Sequence, residues 1–130
     1  MEFSIRSSRQ KDILDITDLV GESVRKSKIQ DGICLVFAPH ATAGIIINEF
    51  EPNIKQDFEM VFDKLFPAAS YRHNSIDDNA QAHLKSGIIG SERTVPVDGG
   101  SLLLGTWQRI LLCEFDGPRE RRVVVKVVGK

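Results

Sequence analysis

Residues 109–128 read RILLCEFDGPRERRVVVKVV, two apolar runs of strand length on either side of a turn. The turn contains Asp116-Gly117-Pro118, a combination that favours chain reversal. Two shorter apolar runs precede this stretch, separated by the second turn signal Asp98-Gly99-Gly100. The last third of the chain is therefore predicted to be all β, with strands at 93–97, 102–106, 109–115 and 121–128.

Toward the N-terminus the pattern becomes mixed. Continuous apolar runs at 33–38 and 44–48 predict two strands buried on both faces, and residues 3–8 are predicted to form a short first strand. Apolar residues at helical spacing predict helices over 17–28, from Pro52 to Pro67 and over 80–87, with Thr17 and Asp77 as caps. Strands that cluster late in a mixed order indicate an α+β fold, a compact single domain over 1–130 with a mixed or antiparallel sheet and about three helices.

Composition excludes several functional classes. The 130 residues have a net charge of -1, so the chain shows no general attraction to nucleic acid or to an anionic membrane. It contains no apolar run of membrane-spanning length, and its first residues lack the apolar stretch of a secretory signal. A cytoplasmic location is therefore expected. Cys34 and Cys113 lie inside apolar runs, which predicts buried, reduced thiols.

The three histidines are the first candidates for chemistry. His40 directly follows a predicted buried strand, His73 lies in a polar loop, and His83 lies inside the short third helix. Neutral imidazoles are good zinc ligands, and three of them with a water form a common catalytic zinc site. No two are spaced to share one helical face. From spacing alone, scattered surface histidines or hydrogen-bonded core histidines therefore remain open alternatives.

Acids and amides lie near these histidines. Asn79 is four residues before His83 and shares its helix face, while Asp78 lies near the start of that helix. Either side chain could orient an imidazole, although Asp77 and Asp78 could equally be helix caps. Glu49 ends the strand that follows His40, which predicts a carboxylate near the same sheet edge as a candidate general base.

Two further groups are candidates for substrate binding. The turn DGPRERR (116–122) contains three arginines, and a guanidinium matches phosphate oxygens bidentately, so Arg119 and Arg121 are candidate phosphate ligands. A solvated basic loop is the alternative. GTWQ (105–108) places the only tryptophan, Trp107, between Thr106 and Gln108. Its indole could stack on a heteroaromatic ring or pack in the core or at a subunit contact.

Five ordered motifs distributed over nearly the whole chain resemble those of the YjbQ family, whose members are called secondary thiamine-phosphate synthases. The motifs are HATAGIIINE (40–49), YRH (71–73), DDNAQAHLK (77–85), GSLLLGTWQRI (100–110) and EFDGPRERRVVV (114–125). The first motif of the family usually reads HTTA. Here Ala41 replaces the first threonine, which removes one hydroxyl but no ligand.

The resemblance implies a compact α+β fold assembled as a homotrimer, with sites near subunit boundaries. It also implies that His40, His73 and His83 gather around a divalent metal, zinc. The activity attached to the family is weak thiamine-phosphate synthase action, which joins a pyrimidine methyl diphosphate to a thiazole phosphate and releases pyrophosphate. The expected partner is thus a phosphorylated small molecule.

On this hypothesis the candidate catalytic residues are Glu49, Asp78 and Asn79, and the candidate substrate-binding residues are Thr106, Trp107, Gln108, Arg119 and Arg121. Three other interpretations use the same residues differently. A zinc-dependent hydrolase of a phosphorylated metabolite would activate water. A non-catalytic metal- or metabolite-binding trimer would leave no open metal position. A purely structural trimer would bury the tryptophan and arginines at subunit contacts.

Overall fold

The computed structural model describes all residues, 1–130, and contains three α-helices and eight strands. The helices are α1 (Thr17–Ser27), α2 (Pro52–Leu65) and α3 (Ala80–Ile89), and a 3-10 turn covers Arg72–Ser75. The strands are β1 (Glu2–Arg6), β2 (Asp12–Asp15), β3 (Asp31–Phe37), β4 (Ala43–Asn48), β5 (Glu92–Asp98), β6 (Ser101–Leu102), β7 (Arg109–Glu114) and β8 (Glu120–Gly129).

The strands form two antiparallel sheets. A five-stranded sheet has the order β1-β8-β3-β5-β6, and a three-stranded sheet has the order β2-β7-β4. In the first, β3 lies between β8 and β5, so that Cys34 is opposite both Val127 and Val95. In the second, β7 is central, and its last residue, Glu114, is opposite Ala43 of β4 and Asp12 of β2. The predicted α+β class is confirmed.

The main core lies between the two sheets and under α1. Strand alternation sends one side chain in two toward this core, as in β8, where Val123 and Val125 are buried and Arg122 and Lys126 are exposed. Helix α1 adds Ile16, Val20 and Val24 from just before and within its length. The other members are Cys34, Val36, Ala38, Ala43, Ile45, Val95, Val97, Ile110 and Leu112. Burying one such side chain contributes about 1.5–3 kcal/mol.

A second core lies on the other face of the three-stranded sheet, under α2 and α3. Phe62 of α2 meets Phe115 edge to face, with ring centroids 5.6 Å apart. The remaining buried members are Ile13 of β2, Leu111 and Cys113 of β7, and Ala82 of α3. The molecule therefore has three layers. Helices α2 and α3 cover one face of the three-stranded sheet, and the five-stranded sheet covers the other. The prediction that α2 packs on a sheet is confirmed.

The outer face of the five-stranded sheet is open in the single chain. Ile33 is 51% exposed, Phe37 38% and Val128 57%. The prediction that β3 is buried on both faces is therefore wrong for one chain, because β3 lies in the outermost layer. Strand β4 lies in the middle layer, and its side chains reach both cores, as expected.

Several local predictions also need correction. The sequence pattern does not predict β2, and the strand expected at 102–106 is replaced by the two-residue β6, which includes only Leu102 of that range. Thr17 is the first residue of α1 and not its cap; the Asp15 carboxylate accepts hydrogen bonds from its N–H (3.0 Å) and hydroxyl (2.6 Å). Asp77 caps nothing, since the Ala80 N–H that opens α3 donates to Asn74 Oδ1 at 3.0 Å.

The two cysteines are free and buried, as predicted. Burial raises the pKa of Cys34 to about 11 and that of Cys113 to about 12, which keeps both thiols protonated and unreactive near neutral pH. None of the three α-helices has the length and apolar run needed to span a bilayer.

Candidate functional site

Several candidate residues meet at the end of the three-stranded sheet where β4 begins and β7 ends. The Ser86 hydroxyl of α3 donates to the Ala43 carbonyl at 2.7 Å, which fixes α3 against the first residue of β4. His83 lies one turn before Ser86 on the same helical face, and Asn79 lies one turn before His83. This face of α3 is therefore directed at the sheet edge that also bears residue 116.

His73 and His83 are brought together by the 3-10 turn that precedes α3. Their imidazole centroids lie 4.5 Å apart with an interplanar angle of 59°. His73 Nε2 lies 2.7 Å from Asn79 Oδ1. The spacing of Asn79 and His83 suggested an orienting contact within the helix, whereas the structure pairs Asn79 with His73.

Asp116 links this pair to an arginine. Asn79 Nδ2 donates to Asp116 Oδ2 at 3.0 Å, and Arg119 Nη2 lies 3.2 Å from the same oxygen. Arg119 Nε also donates to the Asp116 carbonyl at 2.7 Å, which folds the guanidinium back over the turn. Arg119 remains 52% exposed, so its other N–H groups face solvent. His73 and an accessible guanidinium thus belong to one hydrogen-bonded network, and the His83 ring contacts it through His73.

Arg121 has a different position from the one expected. Its side chain is 2% exposed, and its guanidinium pairs with the fully buried carboxylate of Glu114. Nη2 also donates to the Thr42 hydroxyl and carbonyl, at 2.9 and 3.1 Å. The prediction that Arg121 belongs to an exposed phosphate clamp is therefore wrong. Strand alternation turns this side chain inward, where it neutralises Glu114.

His40 lies in the loop between β3 and β4 and is half-buried. Its Nε2 is 2.9 Å from the backbone nitrogen of Arg122 and 3.2 Å from the Arg122 carbonyl oxygen. Burial and, next, the positive charge of Arg121 lower the pKa of His40 from its usual value near 6.5. Its position against the start of β8 therefore disfavours the protonated ring.

The arrangement fits a metal ion in part. His73 and His83 offer two adjacent imidazoles, which are suitable zinc donors, with a hydrogen-bonded amide behind one of them. No group of three His, Cys, Asp or Glu side chains in the single chain is arranged to hold a metal. The complete three-histidine ligand set stays a prediction.

The remaining candidates near this end are Asp78 and Asp116. Asp78 is exposed and, with Asn79, Asp116 and Lys85, lines a small cavity of about 40 Å³. It makes no side-chain hydrogen bond within the chain, so its catalytic role stays a prediction. Asp116 was missed because its place in Asp-Gly-Pro identified it as a turn residue, and only its distance from Asn79 reveals the second role.

A second group lies at the opposite end of the same strand pair. Glu49 follows β4 and Gln108 precedes β7, and both line a surface cavity of about 250 Å³ with Trp107, which is 72% exposed. Gln108 Oε1 accepts from the Gly105 N–H at 2.8 Å and closes the turn, with Thr106 exposed at its tip.

These residues are remote from the histidines within one chain. Six residues of β4 separate the two ends, roughly 17 Å at the rise of an extended strand. The prediction that Glu49 lies near the same edge of the sheet as His40 is therefore wrong within one chain, because His40 precedes β4 and Glu49 follows it, at opposite ends of the strand.

Comparison with known proteins is consistent with this architecture. A UPF0047 protein of Archaeoglobus fulgidus is 45% identical over 129 residues, which cover 98% of this chain and 100% of the relative. The UPF0047 protein YugU of Bacillus subtilis is 39% identical over 126 residues, 96% of each chain. A crystal structure of a YbjQ-like protein of unknown function from Sulfolobus solfataricus superimposes with a TM-score of 0.98 at 44% identity, covering 100% of this chain and 96% of that one.

The family model described as UPF0047 protein YjbQ-like matches residues 1–130, the whole length of the chain. Together with relatives of this identity and coverage, the match leaves one conclusion. The chain belongs to the YjbQ (UPF0047) family.

Proposed function

We propose that this protein is a metal-dependent enzyme of phosphorylated small molecules with thiamine-phosphate synthase activity, coupling a pyrimidine methyl diphosphate to a thiazole phosphate. In that reaction the bond from the methylene carbon to the diphosphate oxygen breaks, and a bond from that carbon to the thiazole nitrogen forms, with release of pyrophosphate. The observation that supports it most directly is the adjacent His73 and His83 rings, with His73 joined through Asn79 and Asp116 to Arg119.

The proposed roles use the positions of these residues together with the family resemblance. His73 and His83 would hold a zinc ion, with His40 as the third ligand that the family resemblance implies, and the ion would stabilise charge on diphosphate oxygens as a Lewis acid. Arg119 is half-exposed and presents free N–H groups, so it can donate to the departing pyrophosphate. Arg121 has no direct role; by neutralising Glu114 it supports the strand ends that present the site.

We further propose a cytoplasmic homotrimer. The open outer face of the five-stranded sheet, with Ile33, Phe37 and Val128 exposed, is a surface of the kind that subunit contacts cover. Trp107 and Glu49 lie at the end of β4 remote from the histidines. In the trimer, they would complete the site of a neighbouring subunit, with the indole stacked on a substrate ring and the carboxylate placed as a base.

The activity is tested by incubating purified protein and zinc with the pyrimidine diphosphate, in the presence and in the absence of thiazole phosphate. A synthase releases pyrophosphate only when both substrates are present. Consumption of the diphosphate alone would instead identify a zinc-dependent hydrolase. Zinc binding without turnover of either substrate would identify a non-catalytic module.

The metal site is tested with three alanine variants and one control. His73→Ala and His83→Ala should each lose stoichiometric zinc and activity together. His40→Ala shows whether His40 is a ligand, because only a ligand's loss changes the zinc content strongly. Leu84→Ala, a neighbour of His83 that is 40% exposed, is the control and should retain zinc. Full activity in metal-free His83→Ala would contradict the proposal.

The shared site is tested by subunit complementation between two inactive variants, His83→Ala and Glu49→Ala. If each site combines the histidine end of one subunit with the Glu49 end of the next, a mixed trimer contains one intact site. Random 1:1 mixing puts subunits into mixed trimers three times in four, so activity should recover to about a quarter of the wild-type value. No recovery in trimers shown to be mixed would place both ends of the site in one subunit.

A further inference from the structure

Three side chains form a directed hydrogen-bond chain from the turn after β7 to the 3-10 turn. Asp116 Oδ2 lies 3.0 Å from Asn79 Nδ2, and Asn79 Oδ1 lies 2.7 Å from His73 Nε2. Asn79 is half-buried and precedes α3, yet its side chain caps no helical N–H. An N-terminal asparagine usually serves as a cap, so this amide is committed to a different task.

The direction of the chain is dictated by Asp116. A carboxylate paired with an arginine has only hydrogen-bond acceptors, so the amide group that faces it must be the NH₂ of Asn79. The carbonyl oxygen of Asn79 then faces His73 and can only accept. Nε2 of His73 must therefore bear the proton, and in the neutral ring the lone pair is left on Nδ1.

We propose that Asp116 is a positioning residue that fixes the tautomer of His73 through Asn79 and so makes Nδ1 the nitrogen available to a metal. The tautomer itself follows from the metal-free geometry, and only its use by a metal rests on the proposed function. Asp116 touches no reacting atom, since two hydrogen bonds and the Asn79 amide between them separate its carboxylate from the His73 ring.

The position of Asp116 keeps the Asn79 amide in this orientation. The backbone N–H of Asp116 donates to Glu114 Oε2 at 3.2 Å, which ties residue 116 to the buried Glu114–Arg121 pair. Arg119, the other side chain that contacts Oδ2, lies on the same turn at 3.2 Å and is 52% exposed. Reversing the Asn79 amide would set its oxygen against the carboxylate and leave two acceptors in contact, which neither neighbour can relieve.

The test is the ¹⁵N spectrum of the imidazoles in metal-free protein near pH 8, where neutral rings dominate. With only three histidines in the chain, long-range ¹H–¹⁵N correlations give the tautomer of each ring separately. Wild-type His73 should show the Nε2–H form in at least about tenfold excess, as expected when the alternative leaves a hydrogen bond unmade.

Asp116→Ala should bring His73 to a mixture of tautomers and leave His83 unchanged. Asn79→Ala, a second variant that removes the amide itself, should have the same effect on His73. Asp77→Asn is the control, because Asp77 is exposed and has no side-chain hydrogen bond to the network. An Nδ1–H form in wild-type protein, or a His73 tautomer that neither Asp116→Ala nor Asn79→Ala alters, would overturn the proposal.

Zinc affinity then separates this proposal from the proposed function. Asp116→Ala should weaken zinc binding by about 10- to 100-fold, the usual effect of removing an outer partner of a ligating histidine. If the tautomer responds as described but the wild-type protein binds no zinc, the positioning role stands and the metal proposal fails. If zinc binds tightly and equally to both proteins, His73 does not depend on Asp116.

Discussion

Replacing Arg121 with methionine is expected to lower the free energy of unfolding by about 3–5 kcal/mol, because it leaves the Glu114 carboxylate buried without its counter-ion. Glu114 is 0% exposed and Arg121 is 2% exposed. After the substitution, the carboxylate would keep two donors, the Ser7 hydroxyl at 2.6 Å and the Asp116 N–H at 3.2 Å. Neither is a cation, so the cost of burying the charge is only partly offset.

Glu114→Gln should destabilise the protein to a similar extent, since it leaves the guanidinium buried without an anion. The double variant, Arg121→Met with Glu114→Gln, removes both charges and is expected to be more stable than either single variant. Arg122→Met is the matched control on the next residue. Its exposed guanidinium has only a surface pairing with Glu2, so its effect should stay within about 0.5 kcal/mol.

The measurement is urea unfolding followed by circular dichroism at one fixed protein concentration, because assembly would make stability depend on concentration. A loss below about 1 kcal/mol for Arg121→Met would refute the reasoning, since a buried carboxylate cannot lose its cation so cheaply. A double variant destabilised by the sum of the two single effects would refute it as well, because it would show that the two charges do not interact.

Three other predictions follow from ionisable groups in or near the cores. Asp63→Asn should lower the free energy of unfolding by about 1–3 kcal/mol at neutral pH. The reason is that Asp63 Oδ1 accepts a hydrogen bond, at 2.7 Å, from the ammonium group of the buried Lys85. Urea unfolding measures the loss. With zinc removed, wild-type protein should lose stability relative to His40→Gln as the pH falls below about 6.5, because His40 binds a proton more readily in the unfolded chain than in the folded chain. Unfolding curves between pH 7 and pH 5 measure this difference. Equal pH dependence of the two stabilities would contradict it. A chromogenic disulfide reagent, which reacts with free thiols, should modify neither cysteine in the folded protein and both after unfolding.

The elements that could be predicted are those whose local pattern and tertiary environment agree. α1, α2, β3, β4, β7 and β8 all combine strong apolar periodicity with burial in the two cores. β2 escaped prediction because its four residues, DILD, begin and end with charged residues, and its pairing with β7 supplies what its own sequence lacks. The stretch LLLGT (102–106) is the opposite case. Its apolar sequence predicts a strand, yet Leu103 and Gly105 lie outside every strand.

The candidate site shows a similar division. The sequence motif containing Asn79 and His83 was sufficient to place His83 in α3, whereas Asn79 is the residue before the helix, and its side chain meets His73 from the preceding turn. Sequence alone did not separate the two arginines, because residues two apart share one face only if both lie in the strand, and the point at which β8 begins decides this. β8 begins at Glu120, so Arg121 points inward with Val123 and Val125, whereas Arg119 lies in the preceding turn and stays in solvent.

Glu49 illustrates a different limit. Distance along the sequence placed it near His40, yet an intervening strand of six residues carries the chain across the whole sheet. Asp116 is the reverse case, since it is 37 residues from Asn79 and still its hydrogen-bond partner. Contacts of this kind depend on how sheet edges meet, and no spacing rule along a single chain contains that information.

The exposed position of the only tryptophan has a practical consequence. Indole emission shifts to shorter wavelength when water is replaced by an apolar or aromatic neighbour, and no second indole obscures the signal here. A ring stacked on Trp107, or a subunit closing over its turn, would therefore change the emission colour of an unlabelled sample. The protein contains its own optical probe of whether the end of β4 remote from the histidines is free or covered.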